Sequence, residues 1–152
     1  MLKTACNPKE TQEIAEELVS ELLREEKKRN HACVIALSGE LGSGKTCFAQ
    51  GIALALGVTE QVVSPTFILE RIYKLQKPPF KHFIHIDCYR LENSSEMKAL
   101  GWEEMLANPD NVIVVEWAER IEDVIPKDAF TVHFQTTGEN ERKLTFAKDT
   151  LE

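Results

Sequence analysis

Nothing in this sequence is built to span a membrane, to hold zinc or to grip nucleic acid unaided. No apolar run reaches the roughly 20 residues that a bilayer-crossing helix needs. The opening MLKTACNPKE lacks the apolar stretch of a secretory leader, so the expected compartment is cytoplasmic, with no membrane partner. Cys6, Cys33, Cys47 and Cys88 show no C-x-x-C spacing, and the histidines stand in no zinc spacing with them. In a reducing compartment such thiols serve as small buried hydrophobes. Lys and Arg number 18 against 25 Asp and Glu, a net charge of −7. That balance argues against a free-standing nucleic-acid binder. No direct DNA binding is expected, and any RNA would be held mainly by another subunit. Repeats and low-complexity tracts are missing as well. The 152 residues, 43% of them hydrophobic, suffice for one domain over 1–152 with a real core.

What is present is a phosphate loop. Gly39 is followed by four residues and then Gly44-Lys45-Thr46, the pattern G-x-x-x-x-G-K-[ST]. Glycines at 39, 42 and 44 permit backbone angles that turn successive N–H groups toward an anion. Lys45 supplies a point charge for the terminal phosphates, and the Thr46 hydroxyl suits Mg²⁺. The apolar run Cys33–Leu37 reads as a buried parallel strand before the loop. Phe48, Ile52, Ala55 and Leu56 recur at helical spacing after it, and Gly57 is a stop signal. The loop therefore joins a strand to a helix N-terminus, where free N–H groups and the helix dipole favour an anion. Cys47 falls in the first turn of that helix, a place that favours a thiolate.

Elsewhere, Asn7-Pro8-x-Glu10 predicts a helix start with a capping box. Ile14, Leu18, Val19, Leu22 and Leu23 follow as its apolar face, and the charge run Arg24–Asn30 reads as a solvated helix end. TFILERIYKL, HFIHIDCY and NVIVVEW read as strands, with a short helical piece from Asn93 to near Gly101. FTVHFQ and RKLTFA alternate around TTGENE and predict an antiparallel hairpin. The expected fold is α/β: a P-loop NTPase-like three-layer domain whose mixed sheet has a parallel core and an antiparallel C-terminal hairpin.

Asp87 and Glu116 each end an apolar strand, where ligands of open α/β sheets bind. A carboxylate there can bind Mg²⁺, directly or through water, or orient a water; alternatively it caps the next element. Ser64-Pro65-Thr66-Phe67 marks a loop entering a strand. Its hydroxyls are either plain turn groups or switch-like contacts to phosphate and metal. Trp117 is a core residue or a flat platform beside a nucleotide or partner. Arg90, after Tyr89, pairs with surface carboxylates or reaches phosphate.

Taken in order, GELGSGKT, SPTF, HIDCYRL and VEWAER make the chain similar, over nearly its whole length, to the TsaE (YjeE) family. These are bacterial ATPases of tRNA threonylcarbamoyladenosine modification. The resemblance implies ATP with Mg²⁺ as ligands and TsaD and TsaB as partners, with tRNA reached indirectly. TsaD carries out the transfer, and the ATPase regulates or resets that machine. Residue by residue, it implies Lys45, Asp87 and Glu116 as catalytic groups and Thr46, Asp87 and Glu116 as metal ligands. The implied nucleotide contacts are Gly39, Glu40, Leu41, Gly42, Ser43, Gly44, Lys45, Thr46 and Cys47 of the loop, with Thr11, Thr66, Trp117 and Arg142. Two other functions compete. A small-molecule kinase of the P-loop class needs a lid, and the QKPPFK connection is too short for one. A GTPase switch needs an Asn-Lys-x-Asp base reader, which the chain lacks.

Overall fold

The computed structural model describes residues 1–24, 29–60, 62 and 70–147. Seven strands form one sheet: β1 (Leu2–Ala5), β2 (Cys33–Gly39), β3 (Glu70–Lys74), β4 (His82–Asp87), β5 (Asn111–Glu116), β6 (Phe130–Thr136) and β7 (Arg142–Phe146). Their order is β1-β7-β6-β2-β5-β4-β3. β6, β2, β5 and β4 run parallel to one another, while β3, β7 and β1 are antiparallel additions. The mixed sheet was expected; two of its features were not. β6 is one arm of the C-terminal hairpin and also a parallel neighbour of β2, so the hairpin is part of the core. β1, which no sequence pattern announced, zips onto β7 from Leu2 opposite Thr145 to Ala5 opposite Arg142.

The strands alternate between two cores, as a sheet covered on both faces must. Cys33, Ile35 and Leu37 join Phe83, Val112 and Val114 beneath helices α1 (Pro8–Arg24) and α2 (Lys45–Ala55). Val34 and Ala36 join Ile84, Ile86, Ile113 and Val115 on the other face. That second face is covered by helix α3 (Trp102–Ala107) and by 3₁₀ segments at Ser94–Leu100 and Ala118–Val124.

Helix α1 starts at the capping box: the Glu10 N–H donates to Asn7 Oδ1 and the Cys6 N–H to Glu10 Oε1, both at 2.8 Å. Ile14, Ala15, Leu18, Val19 and Leu22 are buried, whereas Leu23, expected among them, lies beyond the stripe and is exposed. The helix ends at Arg24, and residues 25–28 of the charge run lie outside the described residues. α1 packs on α2 at Gly51, where a Cβ would stand 2.9 Å from both Ala15 Cβ and Gln12 Cα. Among the described residues no helix is long and apolar enough to cross a membrane.

Candidate nucleotide site

The central strand β2 runs straight into the loop. Gly39, Gly42 and Gly44 take φ of 137°, 75° and 105°, the left-handed half of backbone space that side chains resist. At Gly39 the limit is also steric, because a Cβ there would lie 2.4 Å from the Phe134 carbonyl oxygen of β6. Gly44 caps α2, so Lys45 and Thr46 stand in the first turn with the helix N-terminus behind them. Ser43 and Lys45 are buried, while Leu41 at the tip is exposed and offers only its backbone. The Glu40 carboxylate accepts from the Thr136 N–H at 3.0 Å and pins the loop to the end of β6.

Lys45 Nζ donates to the carbonyls of Gly39 (2.6 Å) and Glu40 (2.8 Å) and sits 4.0 Å over the Trp117 ring. Burial lowers its pKa, and the carboxylates of Glu119, Glu116, Asp87 and Glu40 oppose that shift. One ammonium thus faces four acids. Added positive charge would therefore favour an anionic ligand here, and Thr46, Asp87 and Glu116 are oxygen donors of the kind a hard cation takes.

Sheet register sets those donors in place. Leu37, Glu116 and Asp87 lie side by side across β2, β5 and β4. The Thr46 hydroxyl donates to Glu116 Oε1 at 2.8 Å, and Glu116 is almost fully buried. Asp87 Oδ1 accepts from the Tyr89 N–H at 2.9 Å, the local capping bond that a strand-end carboxylate can make. Among the described residues no three His, Cys, Asp or Glu side chains cluster around a potential metal position.

Thr11 and Arg142 come to the loop from opposite ends of the chain. A Cβ on Gly44 would lie 4.0 Å from Thr11 Cγ2 and from Arg142 Cγ. The Arg142 guanidinium itself turns to the hairpin carbonyls of Gly138, Glu139 and Glu141. Trp117 is the one described non-glycine residue at positive φ, 58°. Its ring lies 5.1 Å from that of Tyr89, and the Arg120 guanidinium stands within 6 Å of both, at 5.8 and 5.7 Å. The arginine over these aromatics is therefore Arg120, while Arg90 is exposed. Thr66 lies outside the described residues.

Cys47 is half-buried and fits the reading of a small packed hydrophobe better than that of a thiolate. Its thiol donates to the Pro8 carbonyl at 3.4 Å, and burial between α1 and α2 raises its pKa, against a hydrogen bond with Gln12 that lowers it. Cys33 and Cys88 are buried as expected, but Cys6 is exposed.

Two contacts were missed from sequence. Glu119 Oε2 accepts from the Gly39 N–H at 3.0 Å, and His85 Nε2 meets Glu116 Oε2 at 2.5 Å. The period of two in β4 is the signal for the second, since it places His85 on the same face as Asp87.

The family model described as threonylcarbamoyl adenosine biosynthesis protein TsaE matches residues 5–144. The chain belongs to the TsaE family. It is thus a protein of tRNA threonylcarbamoyladenosine biosynthesis. TsaE of Bacillus subtilis (strain 168) is 39% identical over 113 residues, 74% of this chain and 68% of that protein. TsaE of Treponema pallidum (strain Nichols) is 34% identical over 114 residues, covering 75% and 81%. The fold matches the crystal structure of Bacillus subtilis YdiB with a TM-score of 0.73 and 29% identity, over 96% of this chain and 83% of that one.

Proposed function

We propose that this TsaE-family chain works as one domain that binds ATP with Mg²⁺ at the loop and hydrolyses it, as a cytoplasmic subunit regulating or resetting a TsaD–TsaB complex. The observation that carries the nucleotide reading is the bond from Thr46 to Glu116, made directly behind the phosphate loop. By accepting the hydroxyl hydrogen, Glu116 leaves the Thr46 oxygen lone pairs free for a cation. When bound, Mg²⁺ supplies positive charge across the phosphate oxygens.

The protein's own part is positioning. The loop N–H groups from Gly42 to Thr46 hold the phosphates. Lys45 exchanges its two loop carbonyls for phosphate oxygens. Asp87 and Glu116 carry the remaining negative charge of the site, as metal ligand or as orienting group for the attacking water. Thr11, Trp117 and Arg142 line the nucleotide, together with Thr66 and Cys47. The net charge of −7 argues that tRNA is reached through the partners.

A kinase reading requires a lid, and only residues 75–81 connect β3 to β4. Labelled ATP separates the two: release of phosphate to water supports hydrolysis, whereas transfer to a metabolite overturns it. Turnover should be slow for the protein alone and rise severalfold with TsaD and TsaB. Trp117→Ala, checked for folding by a thermal melt, should lose the stimulated part. A fast partner-free ATPase, or normal stimulation of the folded variant, would refute the regulatory role.

A further inference from the structure

His85 carries a cost that packing does not explain. It is fully buried in β4, with the Phe83 ring beside it at 6.3 Å between centroids. One ring nitrogen, Nε2, meets Glu116 Oε2; the other, Nδ1, has no hydrogen-bond partner among the described residues. An ionised carboxylate only accepts, so Nε2 carries the hydrogen and donates it, and the bare Nδ1 faces the core. An apolar side chain would fill this position without stranding a polar atom. What the imidazole adds is a single directed bond to Glu116.

That bond completes a clamp. His85 holds Oε2 and Thr46 holds Oε1, so both oxygens of the buried carboxylate are fixed from opposite sides. A carboxylate held at one oxygen alone is free to rotate, and the Thr46 hydroxyl would then lose its acceptor for part of the time. A hydroxyl without that acceptor points its hydrogen into the space where the cation belongs.

We propose that His85 is a positioning residue, locking Glu116 in the orientation that turns the Thr46 oxygen toward Mg²⁺. The inference rests on the nucleotide–metal reading above. It concerns metal affinity and leaves the backbone N–H groups of the phosphate loop untouched.

The test compares two side chains of nearly equal size. His85→Gln keeps an N–H donor close to the Nε2 position, and His85→Met removes it. ATP affinity is measured calorimetrically with and without Mg²⁺, on full-length protein whose folding is checked by thermal melt. Loss of an outer partner of a ligand set typically weakens metal binding about 10–100-fold, so His85→Met should lose about that much of the Mg²⁺-dependent tightening. Its metal-free ATP affinity should stay close to wild type, and His85→Gln should recover most of the loss. Wild-type metal dependence in His85→Met, equal losses in the two variants, or failure of both to fold would overturn the positioning role. Absence of any Mg²⁺ effect in the wild-type protein would instead strike the proposed function itself, visibly and before any variant is made, and the positioning role with it.

Discussion

Replacing Glu116 with glutamine separates what the charge does for the fold from what it does for the ligand. The side chain keeps its volume in a site only 2% exposed. In the free protein it holds two charge-assisted hydrogen bonds, from Thr46 and His85. Such bonds are worth about 1.5–3 kcal/mol each, against about 0.5–1.5 for neutral ones, so the change gives up about 2–3 kcal/mol. It also removes a buried charge, whose desolvation costs several kcal/mol. His85 can meet the new amide by moving its hydrogen from Nε2 to Nδ1. The two terms nearly cancel, and the free variant should melt within about 6 °C of wild type, at about 2–4 °C per kcal/mol for a chain of this size. The bound state behaves differently. Wild type at 100 times its dissociation constant gains about 2.7 kcal/mol from Mg²⁺–ATP. A 10–100-fold weaker variant at the same concentration gains only about 0.4–1.4 kcal/mol. Melting curves of both proteins, free and with Mg²⁺–ATP, show this as a ligand shift cut to roughly half or less. An undiminished shift in Glu116→Gln would refute the reasoning, and so would a free variant destabilised by more than the two hydrogen bonds can supply.

Three further outcomes follow from geometry already described. Lys45→Ala should abolish measurable ATP hydrolysis yet keep the fold, because removing a buried ammonium offsets the loss of its bonds to Gly39 and Glu40; steady-state turnover and far-UV circular dichroism check the pair. Gly51→Ala should gain up to about 1 kcal/mol in helix propensity but lose about 1–3 kcal/mol to overpacking, since the new methyl meets Gln12 backbone at 2.9 Å; urea titration should therefore show net destabilisation. Burial, reinforced by Asp87 and Glu119, pushes the Cys88 thiol from its ordinary 9.0 up to about 12. A raised acid pKa favours the fold while the unfolded thiol is also neutral and disfavours it once that thiol ionises. Stability should thus fall between pH 9 and 12, and from pH 8 to 10 wild type should lose about 1.4 kcal/mol more than Cys88→Ala by urea titration.

The features legible from sequence are those that local chemistry specifies. The box at Asn7 and Glu10 closes within four residues, and Asn93 and Gly101 bound their 3₁₀ segment in the same way, by a side-chain cap and a left-handed glycine. The loop glycines, Lys45 and Thr46 are local too, and an apolar run ending in a carboxylate marked Asp87 and Glu116. β1 escaped notice because LKTA carries no periodicity and gains strand structure only from β7. The bonds made by His85 and Glu119 were harder to see, since the first needs the register of β4 against β5 and the second needs the 3₁₀ segment after β5 folded back onto the loop. The contact made by Cys47 was hidden too, because the sequence shows the helix N-terminus but not the Pro8 carbonyl and α1 packed over it.

The pairing of β1 with β7 bears on the order in which the protein is made. The Met1 amino group donates to the Phe146 carbonyl, 145 residues further on, and β2 finds its parallel neighbours only at β5 and β6. A growing chain therefore leaves the ribosome with its loop already translated but with neither flank of β2 in place. Arg142 emerges later still. Until β7 follows, an interrupted chain carries an unpaired β1, open to any other edge it meets. The edge strand β1 thus waits, uncovered, for β7, a partner translated more than a hundred residues later.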